Sequence, residues 1–180
     1  FRTKGANTLF AVINWLCKLY LTVIRGTPVV VQLMIIYFVV FASSSMNPMV
    51  SAMLAFGLNS GAYVAEIVRG GIMAVDNGQF EAGRSLGFNY FATMRHIILP
   101  QAFKNILPAL GNEFIVLLKE TSVAGYIGVA DLTKGGDIIT SNTYNAFLPL
   151  IAVALIYLVM VLGLQALVGK LERRLRKSDH

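Results

Sequence analysis

Long apolar runs broken by short polar interruptions dominate this chain, and that pattern predicts helices that cross a bilayer. No charged residue occurs from Gly26 to Ala65. Forty such residues exceed one crossing, which takes about 20. The polar hairpin Ser43-Ser44-Ser45-Met46-Asn47-Pro48 divides them, so two antiparallel spans are predicted over residues 27–44 and 49–71. Arg25-Gly26-Thr27-Pro28 opens the first, with Thr27 placed to cap it and Pro28 suited to a first helical turn. A third span is predicted over residues 102–127. The fourth covers residues 146–169, carries no charge and is expected to face lipid. Residues 131–145, DLTKGGDIITSNTYN, form a polar segment between the last two spans on the outer side. Near the N-terminus, Leu9, Val12, Ile13, Leu16, Leu19, Tyr20 and Val23 recur at helical spacing. Arg2, Lys4, Lys18 and Arg25 lie among them with no acid. The pattern favours a basic amphipathic helix on the cytoplasmic surface over a span at residues 5–24, because another span begins almost at once.

Between the second and third spans lies a polar island, EAGRSLGFNYFATMRHIILP, residues 81–100. Residues 81–86 read as a short helix that Gly87 ends, since glycine accepts the left-handed conformation past a helix C-terminus. Asn89 is placed to cap a second helix over residues 90–97, and Pro100 resets the chain. The result is a helix-turn-helix knuckle too polar for lipid. Taken alone, a solvated loop joining two spans is the favoured reading of this stretch.

Composition supports the membrane reading. Of 180 residues, 56% are hydrophobic and 13% charged, with a mean hydropathy of +0.67, whereas soluble domains are about one-quarter charged. A lone Cys17 excludes an internal disulfide, and two histidines, His96 and His180, give no metal cluster. No GxxxxGK[ST] loop is present, so the chain has no recognisable ATP site of its own, and no cofactor is expected. The net charge of +6 is read as cytoplasmic Lys and Arg and not as a nucleic-acid surface. Four spans put both ends and the knuckle on one side. That side holds 13 of the 15 Lys and Arg residues, all but Lys119 and Lys134, including the basic tail from Lys170 to Lys177. The asymmetry predicts a cytoplasmic knuckle and C-terminus. No internal repeat is evident, which argues against a transporter built from inverted repeats within one chain. With no initiator Met and no signal peptide, the chain is expected to be an N-terminally truncated piece of a longer one.

Several polar residues fall inside the predicted spans. Glu66 and Arg69, three apart, are placed to pair on one helix face. Gly57 and Gly61, four apart, admit a close helix neighbour. The third span is broken by Pro108 and Gly111 and carries Glu113, Lys119 and Glu120. Glu113 and Glu120 are two turns apart and share a face, about 10 Å apart along the axis. Residues three and four places either side of Glu113 offer it no partner, and a carboxylate buried there costs several kcal/mol unless paired. A cationic ligand and a structural ion pair with Lys119 are the two readings of this set. Thr27 and Asn59 are further polar candidates for a substrate path.

The knuckle spacing carries a resemblance. Glu81-Ala82, then Gly87, then nine residues to Ile97-x-Leu99-Pro100, resembles the EAA loop of ABC importer permeases. Gly83 stands where that family usually has a second alanine, a change that loosens the helix by about 1 kcal/mol. Other segments resemble the branch for polar and basic amino acids: Arg25-Gly26-Thr27-Pro28 with Val31-Gln32-Leu33, Ala62-Tyr63-Val64-Ala65-Glu66-Ile67, Arg69-Gly70-Gly71-Ile72, Pro100-Gln101-Ala102, Gly111-Asn112-Glu113-Phe114, Leu118-Lys119-Glu120-Thr121-Ser122, and Gly128 with Asp131-Leu132-Thr133. The likeness implies an all-α integral membrane fold in which residues 1–177 form one transmembrane domain, with 178–180 a tail. Four transmembrane helices are visible here, against a family core of five whose first is lacking. It implies a type I import permease in a bacterial inner membrane, itself not an enzyme. It further implies a second permease subunit, identical or related, ABC ATPase subunits docked on the knuckle (Glu81, Ala82, Gly83, Gly87, Ile97, Leu99, Pro100), and an extracytoplasmic substrate-binding protein that delivers an amino acid. Glu113, Glu120, Lys119, Thr27 and Asn59 are the substrate-binding candidates. The competing readings are an ATP-independent channel or secondary transporter that uses Glu113, Lys119 and Glu120 as a relay, and a membrane scaffold.

Overall fold

A computed structural model describes residues 8–44 and 46–176, and these are helical with no strand among them. Helix α1, Thr8–Gly26, meets α2, Val29–Ile35, at a sharp corner, and α2 ends in a π-helical turn, Ile36–Val40. Helix α3, Pro48–Met73, starts at Asn47, whose side chain accepts the Met49 N–H at 2.9 Å. Two short helices follow, α4, Gly78–Ser85, and α5, Tyr90–Thr93. A second π turn, Met94–Ile98, leads into α6, Leu99–Glu120. A 3-10 stretch, Thr121–Ile127, ends at Gly128, which is left-handed at φ 84°. Helix α7, Leu132–Thr143, and the long α8, Phe147–Arg176, complete the chain.

Two helices are each long and apolar enough to cross a membrane: α3, as expected, and α8 from Phe147 to Leu175. The predicted span over residues 27–44 does not stand as a crossing helix by itself. Its helical part, residues 29–40, rises only about 18 Å at 1.5 Å per residue, short of a hydrocarbon core of about 30 Å. It qualifies only together with α1, and the two are bent by 108°. Thr27 does not cap α2. Pro28 occupies the cap position in extended conformation without a side-chain bond, and the Thr27 hydroxyl turns back to donate to the Val23 carbonyl at 2.8 Å. The third predicted span is α6, long enough at about 33 Å but carrying Lys104, Glu113, Lys119 and Glu120, and it does not join α3 and α8 on composition. The polar segment after it is mostly helix α7, which Asp131 caps by accepting the Lys134 N–H at 2.6 Å. The same carboxylate accepts the Gly125 N–H at 3.2 Å, tying α7 to the 3-10 stretch.

Two apolar clusters hold the helices together. Leu33, Ala52, Ala55, Phe56, Ala124 and Ile127 join α2, α3 and the 3-10 stretch in the half away from the knuckle. Val75, Ile98, Ala102 and Ile106 join the end of α3 to the start of α6, with Ile72, Phe80 and Met94 packed on them. Of the two glycines expected to admit a neighbour, Gly61 does and Gly57 does not. Space around Gly57 is open, and a Cβ at Gly61 would come within 3.2 Å of the Tyr20 hydroxyl of α1, which donates to the Leu58 carbonyl. Closer approaches are at Gly71, where an added Cβ would collide with Ile106 Cγ1, and at Gly111 and Gly136, where it would meet Val168 and Val153 of α8 at 2.8 and 2.7 Å. The pattern of small residues is visible in sequence, but which of them faces a neighbour depends on helix rotation. Apolar side chains such as Phe10, Trp15 and Leu19 on α1, and Leu155, Val159 and Leu162 on α8, are exposed, a surface suited to lipid tails or a partner subunit.

Gly71→Ala is expected to destabilise the chain by about 1–3 kcal/mol through overpacking, and Gly57→Ala to leave it unchanged. Thermal unfolding in detergent measures both, and equal melting temperatures would refute the assigned crossing.

Candidate functional site

The knuckle is built from local hydrogen bonds. Asp76 starts it: its Oδ1 accepts the Gly78 N–H at 2.6 Å and its carbonyl accepts the Gln79 N–H at 3.0 Å. Asn77, at the cap position of α4, lends no side-chain bond. Gly87 closes α4 as predicted, with φ 79°. Its N–H donates to the Arg84 carbonyl at 2.9 Å, and the Phe88 N–H to that of Gly83 at 3.0 Å, the paired bonds of a Schellman ending. Asn89 accepts the Ala92 N–H at 2.8 Å and so caps α5 as predicted. Phe80 and Tyr90 stack with centroids 6.0 Å apart, and Gln101 donates to Gln79 across the two arms at 3.1 Å.

Two expectations about the knuckle change. Pro100 does not reset the chain. Backbone angles stay helical from α5 through the π turn into α6, so residues 90–120 form one continuous rod. Proline lacks an N–H and its ring crowds the carbonyl four residues back; the wider π turn lies directly before it. Gly83 is more than a loosened position. It is buried, and a Cβ there would stand 2.6 Å from Thr93 Cγ2. Thr93 is itself 1% exposed and donates to the Asn89 carbonyl at 3.0 Å, so it occupies the space a second alanine would need. Glu81, Ala82, Gly87 and Pro100 are exposed and Ile97 and Leu99 half-buried. Leu86, Phe88, Tyr90 and Phe91 present apolar surface beside them.

The predicted substrate residues fall into two groups. Glu113 is half-buried and its Oε1 accepts a hydrogen bond from Ser60 of α3 at 3.2 Å, a partner on another helix. Glu120, also half-buried, lies two turns further along the same helix. Among the described residues Lys119 forms no ion pair with either. Thr27 and Asn59 belong elsewhere. Both bond to Gln32, which donates to the Ile24 carbonyl at 2.7 Å and to the carbonyl and hydroxyl of Thr27 at 3.0 and 2.7 Å, and accepts from Asn59 at 3.0 Å. Gln32 and Asn59 are 8% and 2% exposed. This triad fixes the corner between α1 and α2 and does not join Glu113. Gln32 was not among the predicted site residues, and its signal was a lone amide in the apolar run of residues 29–41. Glu66 and Arg69 pair as predicted, Arg69 Nε lying 3.0 and 3.1 Å from the two carboxylate oxygens. Arg25 joins them, 3.5 Å from Glu66 and 5.6 Å above the Tyr63 ring, and so pins the corner to α3.

The family of binding-protein-dependent transport system inner membrane components matches residues 6–177. The chain belongs to this family. A binding-protein-dependent permease of this kind is a transport component of the inner membrane and not an enzyme, and the ATP-independent and scaffold readings give way. The arginine transport system permease protein ArtQ of Bacillus subtilis (strain 168) is 44% identical over 167 residues, 92% of this chain and 76% of ArtQ. The glutamine transport system permease protein GlnP of Escherichia coli (strain K12) is 41% identical over 166 residues, 91% and 76% of the two chains. A crystal structure of an amino acid ABC transporter with histidines superposes with a TM-score of 0.82 at 52% identity, over 87% of this permease and 74% of that chain. The inward-facing MetNI methionine ABC transporter superposes at 0.75 and 20% identity over 96% and 80%, a likeness of fold alone.

The Thr93 contact makes a test of the permease knuckle. Gly83→Ala is expected to speed amide hydrogen exchange across residues 83–93, and Thr93→Ala added to it to restore protection. Unchanged exchange in Gly83→Ala would refute the close packing.

Proposed function

We propose that this permease, a subunit of an amino acid ABC importer, carries cationic amino acids on Glu113 and Glu120. The observation that supports this most directly is the pair of carboxylates two turns apart on α6: Glu113 accepts the Ser60 hydroxyl of α3, and among the described residues neither Glu113 nor Glu120 forms an ion pair. An intramembrane charge is a functional site by default, and a ligand with two cationic groups offsets the burial of both. A relative named for arginine transport, ArtQ, fits this chemistry. One named for glutamine transport, GlnP, is nearly as similar, so the carboxylates and not the names decide the proposal. Lys119, exposed at the end of α6, is positioned to meet a substrate carboxylate.

In this reading residues 1–177 act as one transmembrane domain, and residues 178–180, a tail, lie outside the described residues. Two permease subunits line the path, and the exposed knuckle, Glu81 to Pro100, sits in the cytoplasm and takes an ABC ATPase subunit through Leu86, Phe88 and Phe91. ATP binding draws the two knuckles together. The extracytoplasmic binding protein acts on the other face, and each partner biases an equilibrium between inward-open and outward-open forms.

Glu113→Gln and Glu120→Gln are each expected to lower uptake of arginine, lysine or histidine by about ten-fold, a charge-assisted bond being worth 1.5–3 kcal/mol, with the ATPase subunit still retained on purification. Gly87→Val is expected to lose uptake by another route, because a β-branched residue is poorly tolerated at positive φ: the chain inserts, but the ATPase subunit is not retained. Unchanged cationic uptake in both carboxylate variants removes them from the site.

Orientation is tested separately. With Cys17 replaced by serine, a cysteine at Asn142 is expected to react with an impermeant thiol reagent outside intact cells, and one at Asn89 is not. The opposite pattern places the knuckle outside.

A further inference from the structure

At the end of α6 away from the knuckle, the 3-10 stretch and α7 border an open-sided hollow of about 380 Å³, within the range of small-molecule sites. Ser122, Tyr126, Thr133, Lys134 and Asp137 line it. Lys134 and Asp137 are three residues apart on α7, yet among the described residues they form no ion pair. The order is the weaker one for pairing, since a helical ion pair is better with the acid nearer the N-terminus. The neighbouring carboxylate, Asp131, is turned toward the N–H groups of Lys134 and Gly125 and forms no ion pair with the lysine among the described residues. Lys134 is held in place: its side chain packs on Gly125, where an added Cβ would come within 3.2 Å. An ammonium, a separate carboxylate, two hydroxyls and an aromatic ring thus face one hollow, two residues beyond Glu120.

We propose that this hollow is an outer subsite that holds the backbone of an amino acid, its carboxylate on Lys134 and its α-ammonium on Asp137, before the side chain reaches Glu120. It rests on the transport reading and deepens it: the subsite recognises the zwitterion common to amino acids, and the membrane carboxylates select the side chain. Separated opposite charges on one face match a zwitterion, and neither a simple anion nor a simple cation satisfies both.

The test uses the assembled transporter, permease with its ATPase subunits in lipid nanodiscs and no binding protein present. The probes are radiolabelled arginine and agmatine, which lacks the carboxylate. Lys134→Met keeps the packed stem and is expected to weaken arginine binding about ten-fold while leaving agmatine unchanged. Asp137→Asn is expected to weaken both, since both carry the ammonium. Equal loss of both ligands in Lys134→Met, or no loss of either, overturns the subsite. So does intact arginine affinity in Lys134→Met with a defect in ATP hydrolysis that shows only when the binding protein is added in a second assay, which makes the pair a protein contact. If the wild type binds glutamine and not arginine, the cationic reading fails alone. The subsite then stands when Lys134→Met weakens glutamine and spares its decarboxylated amine, and falls when it does not.

Discussion

The crossing of α3 and α6 at Gly71 and Ile106 governs what the rest of the chain can do. Gly71 gives up its side chain so that Ile106 can occupy that space, and the apolar cluster of Val75, Ile98 and Ala102 closes around the contact. Burial of such residues contributes about 25 cal/mol per Å² of apolar surface. With the two helices locked there, Ser60 comes level with Glu113 on one side and Phe80 reaches Tyr90 on the other. A membrane chain gains little from segregating apolar helices out of lipid that is equally apolar, so close packing at small residues carries the association.

Polar groups inside this fold divide by task. Gln32, Asn59 and Thr27 bond to one another and hold a corner, although Asn59 keeps a buried Oδ1 with no partner among the described residues. Arg25, Glu66 and Arg69 pair one layer further on. Among the described residues Glu113 accepts one hydroxyl, and Glu120, Lys134 and Asp137 form no ion pair. The proposed transport role rests on this second set.

The knuckle was legible because its instructions are local. Gly87 and Asn89 act within four residues of themselves, and both do what their chemistry predicts. The apolar runs likewise marked α3 and α8. Tertiary facts were hidden. Nothing in the sequence near Gly83 shows that Thr93 fills its empty volume, or that Gly57 faces open space while Gly71 does not, because these depend on the rotation of one helix against another. The run over residues 27–44 misled because apolarity without length suggests a crossing, and the Pro28 corner shortens the helix to residues 29–40. Pro100 misled in the opposite sense: a π turn absorbed the break that proline usually makes.

That absorbed break has a mechanical result. From Tyr90 to Glu120 the helical run changes hand nowhere, but Pro108 inside α6 removes one backbone hydrogen bond two residues past Ile106, the residue seated on Gly71. The tightest contact and the softest step of the helix therefore lie side by side, so a tilt imposed at Tyr90 turns about the crossing and meets a natural bending point before it reaches Glu113 and Glu120.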